Sequence, residues 1–397
     1  MAKVTLSLIK ADVGSVAGHT RPHPKMMEAA KGVLKDGVEN GVISDFMLAR
    51  CGDDISLIMT HEKGENNEQV HKLAWDAFSA AAEVAKKFGL YGAGQDLLSD
   101  AFSGNIRGLG PGAAEMTFEE RPSEPIIALL ADKTEPSAFN LPLAKIYADP
   151  FTTTGLVIDS RMHDGFVFEV VDVKENKKIM LSTPEELHDL LAFIGDITRY
   201  AIKRIYSKQE KIGIAAVVST EKLSLLAGKY VGKDDPVALV RLQSGLPAAG
   251  EVTQPFAFPA LVSGWMRGSH WGPWLPSAMD YSNTTFYDGP PRIVALGFQV
   301  KDGKIIGIEE EPKVGEHKPV DFFADPAWDK IRHMAMEQAI YIRRHGPFMP
   351  AILPPEELEY TTLPQVRARL ADRWQDYEAE QLHSLKEEYK GEHIVHE

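Results

Sequence analysis

The sequence predicts an α/β or α+β fold whose sheets are predominantly antiparallel. Apolar residues alternate along several short segments, as in half-buried strands, and recur at helical spacing along longer ones. Strands and helices are mixed without strict βαβ alternation, which favours antiparallel pairing. The chain has 397 residues, 44% of them hydrophobic, and can bury a large core. We expect a single large domain over 1–364 and a charged C-terminal helix and tail over 365–397.

In the first third of the chain, segments with the alternation of strands come between segments with helical spacing, and glycine-containing turns separate them. The Gly52-Asp53-Asp54 turn joins two strands, and a glycine-rich stretch at 91–112 closes this part. The elements predicted here are a strand at 4–9, a helix at 24–40, strands at 42–50 and 55–60, and a helix at 68–88.

The middle of the chain is richer in predicted strands. Residues 126–131 form a short strand of the buried type, which ends at Asp132-Lys133. Ser182 and Pro184 are typical of a helix start, since serine caps the first turn and proline fits within it. We expect this helix to run toward Tyr206. The other strands predicted in this part lie at 155–158, 166–173, 178–181 and 214–219.

The last part of the chain contains a hairpin and an acidic loop. The turn Lys301-Asp302-Gly303-Lys304 predicts a hairpin that follows a long strand. Residues 309–321 are acidic and contain proline, which predicts a surface loop. The remaining elements predicted here are strands at 237–242, 256–262, 292–300 and 305–308, a helix at 326–344 and a charged helix from Pro364.

Charge and cysteine content exclude several classes of protein. Lys and Arg number 43 and Asp and Glu 57, a formal net charge of −14, which repels nucleic acid and anionic lipid. No apolar run reaches the roughly 20 residues of a membrane helix, and the N-terminus lacks a secretory cleavage site. Cys51 is the only cysteine, which excludes a disulfide scaffold. We expect a cytoplasmic protein without nucleic-acid or membrane partners.

Acidic motifs follow several strand-like segments, where folds present site residues. Gathered carboxylates repel one another unless cations neutralise them, and Mg²⁺ takes oxygen ligands that often include substrate phosphates. The motifs therefore suggest a phosphate site with several Mg²⁺ ions; alternatively, each acidic pair is an ordinary turn or solvated surface. The motifs contain Asp12, Asp53-Asp54, Gln95-Asp96, Asp132-Lys133 and Asp234-Asp235.

Two further segments contain residues that could bind a ligand or take part in catalysis. The glycines of 103–112 expose backbone N–H groups that can cradle phosphate, without a Walker or Rossmann pattern; alternatively, the segment is a surface loop. Tyr230 and Lys233 are three residues apart, so a helical turn would put them on one face, where lysine can attack a ketone and tyrosine can move protons. The adjacent Asp234 and Asp235 oppose this unless they bind metal. Alternatively, Lys233 pairs with them at the surface.

Long motif matches place the sequence near a known family. From Lys10 to about Pro364 it closely resembles the bifunctional fructose-1,6-bisphosphate aldolase/phosphatases of archaea and deep-branching thermophilic bacteria. This resemblance implies a four-layer α-β-β-α sandwich and a homo-octamer. The matching segments are 9–15 (IKADVGS), 52–54 (GDD), 94–100 (GQDLLSD), 103–112 (SGNIRGLGPG), 131–136 (ADKTEP), 228–236 (GKYVGKDDP), 264–270 (GWMRGSH) and 359–364 (EYTTLP).

The resemblance implies that one active site, built from both halves of the chain, catalyses two consecutive steps of gluconeogenesis. Dihydroxyacetone phosphate and glyceraldehyde 3-phosphate condense through a Schiff base to fructose 1,6-bisphosphate. Mg²⁺-dependent hydrolysis of its C1 phosphate then gives fructose 6-phosphate. The implied partners are the triose phosphates and fructose 1,6-bisphosphate, and the implied cofactor is Mg²⁺, several ions per site.

The resemblance also implies roles for individual residues. Lys233 would form the Schiff base, Tyr230 would donate and accept protons in the aldol step, and Asp12 would act with Mg²⁺ to activate the hydrolytic water. The implied Mg²⁺ ligands are Asp12, His19, Asp53, Asp54, Gln95, Asp132, Asp234 and Asp235. The implied contacts to sugar phosphates are His19, Tyr91, Gly104, Asn105, Lys133, Gln243, Arg267, Asp288 and Tyr360.

Three alternatives belong to other functional classes. In a single-activity Mg²⁺-dependent sugar phosphatase, Lys233 is only structural, and borohydride does not trap dihydroxyacetone phosphate on the protein. A non-catalytic sugar-phosphate sensor binds fructose 1,6-bisphosphate without releasing phosphate, although the many carboxylates disfavour a site that only binds an anion. An oligomer that is merely stabilised by cations melts on chelation and shows no turnover.

Overall fold

The structure is a computed structural model, and it describes residues 3–97, 110–222, 234–264, 270–286, 289–345 and 361–377. Over these ranges, antiparallel strand pairs predominate. The strands are β1 (Lys3–Ala11), β2 (Asp45–Cys51), β3 (Asp54–His61), β4 (Gly112–Glu119), β5 (Glu124–Asp132), β6 (Phe166–Asp172), β7 (Lys177–Ser182), β8 (Tyr200–Ser207), β9 (Ile214–Val218), β10 (Glu221–Lys222), β11 (Val237–Arg241), β12 (Leu261–Gly264), β13 (His270–Pro273), β14 (Leu275–Pro276), β15 (Arg292–Lys301), β16 (Lys304–Ile306), β17 (Val320–Asp321) and β18 (Gln375–Asp376).

The longest helix of the described part, Glu68–Lys87, begins and ends as its sequence favours. Asn67 accepts hydrogen bonds from the first backbone N–H groups of the second helix, and Lys86 and Lys87 lie in its last turn, near the negative end of its dipole. The helices are α1 (Pro24–Glu39), α2 (Glu68–Lys87), α3 (Asn140–Ala148), α4 (Gly155–Ile158), α5 (Leu187–Gly195), α6 (Ala249–Thr253), α7 (Asp329–Arg344) and α8 (Leu363–Arg369).

The strands form two main sheets. The smaller has the order β10-β4-β1-β3-β2, and the larger has the order β14-β15-β5-β11-β9-β8-β6-β7-β18, with β16 and β17 also paired to β15. The pairing of β14 with β15 is parallel. Strands β12 and β13 form a separate two-stranded ribbon.

Apolar side chains form three layers between these elements. Helices α1 and α2 cover one face of the smaller sheet, with Leu34 and Phe78 in the contact. The opposite face packs on the larger sheet, where Leu8 of β1 belongs to the same cluster as Leu130 of β5. Helices α3 and α5 cover the outer face of the larger sheet. The order helix, sheet, sheet, helix confirms the predicted four-layer sandwich.

The structure corrects two predictions of secondary structure in the middle of the chain. Residues 155–158 form the short helix α4 rather than a strand; a run of four apolar residues fits either element, and the side chains of Val157 and Ile158 are exposed. The helix predicted from Ser182 to Tyr206 spans only Leu187–Gly195. Its expected second half is strand β8, which is buried on both faces within the larger sheet.

The remaining differences lie near sharp turns. The strand predicted at 256–262 is a 3₁₀ turn at Gln254–Ala257, followed by β12. The charged helix predicted from Pro364 ends at Arg369, and the chain then continues as β18, which pairs with β7. Tyr377 is buried next to β18, so the segment after Pro364 packs on the sheet as far as this residue. Residues 378–397 lie outside the described part.

None of the helices in the described ranges combines the length and the apolar character needed to cross a membrane.

A buried histidine attaches the acidic loop 309–321 to the smaller sheet. His317 lies between Asp45 of β2, at 2.9 Å, and Glu309, at 2.8 Å, and its side chain is 1% exposed. Burial alone would lower the pKa of His317, but hydrogen bonds to the two carboxylates outweigh burial and raise it. The imidazolium therefore links two carboxylates that would otherwise face each other.

We expect His317→Gln to lower the free energy of unfolding by about 3 kcal/mol, because it leaves two buried carboxylates without their cation. Since the pKa of His317 is raised by folding, its stabilisation is complete below its unfolded pKa of about 6.5 and is lost as pH rises through the folded value. Urea denaturation of both proteins at a series of pH values measures this difference. His333→Gln is the control, because His333 pairs with Glu337 on the exposed face of α7.

Candidate functional site

The candidate site lies where the layer between the two sheets ends. Along β1, Leu6 and Leu8 face the larger sheet, and the same alternation continues the row with Lys10 and Asp12. Along β5, Leu130 is followed two residues later by Asp132. These rows change from apolar to charged at the same edge.

Two further strands bring carboxylates to this edge. β3 runs antiparallel to β1, so its first residue, Asp54, lies beside the last residues of β1. β11 runs antiparallel to β5, with Val237 opposite Leu130, so the residues that precede β11 lie beside Asp132. Asp235 is one of these, and it exchanges hydrogen bonds with the backbone of Thr134 directly after β5.

The first group of side chains is Asp12, His19 and Asp53. The Nδ1 atom of His19 lies 3.2 Å from an oxygen of Asp53 and 3.5 Å from an oxygen of Asp12. Tyr91 stacks edge-on against His19, with ring centroids 4.9 Å apart. One ligand atom from each of the three residues lies within 4.8 Å of the others, close enough to share one cation.

The second group is Asp54, Asp132 and Asp235, whose ligand oxygens also lie within 4.8 Å of one another. Lys10 donates to Asp54 at 2.6 Å. Lys133 donates to Asp132 at 2.9 Å and to Asp53 at 3.3 Å, and so connects the two groups.

Gly52 permits the close approach of Asp132 to the turn before β3. Its φ is +59°, and a Cβ atom at this position would overlap the Asp132 carboxylate. Any other residue at position 52 therefore meets both a backbone penalty and a direct collision. The glycine of the Gly52-Asp53-Asp54 motif thus shapes the site as much as its two carboxylates do.

Asp96 fixes the backbone of Asp12. Its carboxylate accepts the Asp12 N–H at 2.9 Å, and its own N–H donates to the Asp12 carbonyl at 2.9 Å. The N–H of Gly14 donates to an oxygen of the Asp12 side chain at 3.1 Å. The Asp12 carboxylate is therefore oriented by neighbours on both sides.

The crowding of carboxylates changes their proton affinities. Burial, together with the charge of Asp53, raises the pKa of Asp12 to about 7. Burial and the charges of Asp53 and Asp54 raise the pKa of Asp132 to about 6, although Lys133 opposes them. Hydrogen bonds to Asp12 and Asp53 raise the pKa of His19 to about 10. The cluster thus favours any positive charge that enters it, whether a proton or a metal ion.

These residues fit divalent cations. The second group offers only carboxylate oxygens, which are the ligands that Mg²⁺ prefers. The first group adds the His19 nitrogen, and His19 must lose its proton before it can bind a metal. Gly52 leaves space at the Asp132 carboxylate that a side chain would fill. The donor chemistry therefore supports a metal requirement, with the second group the better match to Mg²⁺.

The structure brings together most of the predicted residues that it describes. Asp12, His19, Asp53, Asp54, Asp132, Lys133 and Asp235 form the two groups, and Tyr91 lies against His19. Gln95 lies in the turn that contains Asp96, and Asp234, beside Asp235, contributes charge around Lys10. The predicted residues outside the described ranges are Gly104, Asn105, Tyr230, Lys233, Arg267, Asp288 and Tyr360.

Gln243 lies elsewhere in the chain. Its backbone carbonyl accepts from Arg121, which also pairs with Glu124 at the opposite end of β5 from Asp132. The length of β5, nine residues, separates these ends by about 25 Å. Gln243 therefore lies far from the two groups within the same chain, and its contact with a sugar phosphate stays a prediction.

Sequence reasoning missed Lys10, Gly52 and Asp96 as site residues, although all three lie in the motifs that it quoted. Lys10 carries a detectable signal, since it follows Leu6 and Leu8 at every second position of β1, a strand that is buried from Val4 onward. A charged residue in such a row is buried and needs a partner. The roles of Gly52 and Asp96 depend on contacts between distant parts of the chain, which a single sequence does not show.

Comparison with known proteins gives consistent results. Residues 3–375 match the family described as fructose-1,6-bisphosphatase. A curated protein of Ignicoccus hospitalis is 63% identical over 372 residues, which cover 94% of this chain and 93% of that protein. Relatives from Methanothermobacter marburgensis (56% over 374 residues; 94% of this chain, 99% of the relative) and Moorella thermoacetica (55% over 372; 94% of each) are similar. All three are named fructose-1,6-bisphosphate aldolase/phosphatase.

We expect Gly52→Ala to weaken Mg²⁺ binding by at least about tenfold, because the new methyl group displaces a ligand carboxylate. The increase in Tm that Mg²⁺ produces over chelator-treated protein measures this effect. Gly41→Ala is the control: Gly41 has a φ of +68° but nothing within 4 Å of an added Cβ. If Mg²⁺ raises the Tm of Gly52→Ala as much as it raises that of Gly41→Ala, displacement of Asp132 does not weaken Mg²⁺ binding and the prediction is wrong.

Proposed function

Because this chain belongs to the fructose-1,6-bisphosphatase family, we propose that it both forms fructose 1,6-bisphosphate from triose phosphates and hydrolyses it to fructose 6-phosphate. The observation that carries the proposal is the convergence of two cation-binding groups on one edge of the sandwich. Asp234 and Asp235 belong to this edge, and Lys233 directly precedes them in the sequence. The residue proposed for the imine is thus adjacent in sequence to two carboxylates of this edge.

The phosphatase step uses the carboxylate groups. Mg²⁺, when bound by Asp12, Asp53, Asp54, Asp132 and Asp235, supplies positive charge to the phosphate and lowers the pKa of the attacking water. Asp12 is oriented by Asp96 and Gly14, so that its carboxylate can accept the proton of that water. Lys133, with its flexible side chain at the junction of the two groups, is suited to bind the phosphate.

The aldolase step uses Lys233 and Tyr230. The amine of Lys233 adds to the C2 carbonyl of dihydroxyacetone phosphate and expels water, giving an imine. Loss of a C3 proton gives an enamine whose carbon attacks the aldehyde of glyceraldehyde 3-phosphate, and Tyr230 moves the protons of this exchange. Hydrolysis of the imine then releases the hexose bisphosphate and restores the amine.

The alternatives differ in how they account for these residues. A sensor of sugar phosphates gains nothing from five carboxylates around an anionic ligand, because they repel it unless cations intervene. A single-activity phosphatase explains the carboxylates but leaves Lys233 without a chemical role. The names of the relatives, which include both activities, favour the bifunctional enzyme. The homo-octamer, the cytoplasmic location and the identity of the metal as Mg²⁺ remain predictions.

We expect Lys233→Arg to abolish condensation of the triose phosphates while it preserves phosphate release from fructose 1,6-bisphosphate, because arginine keeps the charge but cannot form the imine. Mass spectrometry after borohydride treatment with dihydroxyacetone phosphate should show a covalent adduct on the wild type and none on the variant. Lys229→Arg, four residues earlier, is the control and should retain both activities. A variant that still condenses trioses would contradict the assignment of Lys233.

A further inference from the structure

Lys10 is the most deeply buried cation of the site. Its side chain is 1% exposed, and its ammonium group lies 2.6 Å from Oδ2 of Asp54. On β1 it is flanked by Ser56 of β3 and Gly112 of β4, within the row that begins with apolar residues.

Lys10 and Lys133, the two lysines that the described part of the chain brings to the site, differ in their freedom. Lys133 follows β5, its side chain is 14% exposed, and it divides its contacts between Asp53 and Asp132. Lys10 belongs to the middle strand of the smaller sheet, with β3 and β4 on its two sides. Lys133 is therefore placed to leave the carboxylates for a substrate phosphate, whereas Lys10 is held among them permanently.

The contact with Lys10 restricts what Asp54 can do. One of its two carboxylate oxygens, Oδ2, accepts from the ammonium. The other oxygen is then the natural donor to a cation shared with Asp132 and Asp235. The Lys10 ammonium, 2.6 Å from Oδ2 of Asp54, also repels a divalent ion bound by the same carboxylate. Such repulsion in a buried site changes the binding constant of the metal by far more than twofold.

We propose that Lys10 is a positioning residue that acts as a resident cation: it orients Asp54 and weakens divalent-metal binding by the Asp54–Asp132–Asp235 group. Weaker metal binding accompanies a useful effect on the charge of the site. The permanent ammonium of Lys10 neutralises one carboxylate before any metal binds. An anionic substrate then meets less repulsion, and metal ions bind loosely enough to rearrange between steps. The proposal rests on the proposed function only for its consequence for catalysis.

A purely structural role for Lys10 predicts the opposite change in metal binding. If Lys10 only kept the edge of the sheets together, its removal would loosen the carboxylates and weaken metal affinity. If it is a resident cation, its removal eliminates a repulsive charge and tightens metal affinity, although the metal-free protein becomes less stable. The direction of the change therefore distinguishes the two roles.

The experiment is isothermal titration calorimetry of metal-free protein with Mg²⁺, and with Mn²⁺ as a second probe. For Lys10→Met we expect at least about tenfold tighter binding at one site, with a lower kcat/KM for fructose 1,6-bisphosphate. Lys10→Arg retains the charge and should bind the metals with nearly wild-type affinity. Lys203→Met is the matched control, since Lys203 is another buried lysine, which donates to the hydroxyl of Tyr377.

Each outcome decides the proposal. Tighter binding by Lys10→Met, with unchanged binding by Lys203→Met, supports it. Unchanged or weaker binding by Lys10→Met overturns it. If Lys10→Met does not fold, Lys10→Gln, which keeps a hydrogen-bond donor but loses the charge, is held to the same expectation. Absence of metal binding by the wild type itself would instead refute the proposed function, so the two failures are distinguishable.

Discussion

The repulsion between buried carboxylates is the constraint on which the site depends. Asp12, Asp53, Asp54, Asp132 and Asp235 lie at one edge of the layer between the sheets, where little water is available to separate their charges. Like charges in such a place must gain protons, cations or hydrogen bonds. The chain supplies Lys10, Lys133 and His19 for this purpose. These residues offset the charge of the carboxylates without a metal, and a metal bound by the same carboxylates would have to compete with them.

The sandwich produces this edge through the alternation of its strands. Because each strand presents every second residue to the layer between the sheets, a short extension of an apolar row carries a polar side chain to the rim. Antiparallel pairing brings the end of β1 beside the start of β3, and the end of β5 beside the start of β11. Strand pairing thus brings together four segments that are distant in sequence, without long loops. Gly52, Lys133 and Asp235 then turn the chain through positive φ at the rim itself.

The sequence predicted those parts of the structure that depend on local patterns. The strands β1, β3 and β15 were predictable from their apolar segments, and the helices α1 and α2 from apolar residues at helical spacing. The error at Ser182–Tyr206 arose because a helix start is a local signal, whereas β8 owes its extended form to neighbours on both sides in the larger sheet. In the same way, the carboxylates were predictable as residue types, but the division into two groups and the contact of Lys10 with Asp54 depend on strand pairing. The position of Gln243 at the far end of β5 could be found only from that pairing.

A single electrostatic arrangement can serve both proposed reactions. Imine formation requires a neutral amine, and adjacent carboxylates oppose this by stabilising the ammonium of Lys233. Phosphate transfer requires positive charge near the phosphoryl oxygens, and the same carboxylates oppose it as well. Cations among the carboxylates reverse both effects, since they repel a proton on the lysine and attract the phosphate. The positive charge of a side chain such as Lys10 is always present and provides part of the same effect. The aldol and hydrolytic reactions therefore impose compatible demands on the charge of the site, and the demands that differ concern only which side chains reach the reacting carbon or phosphorus.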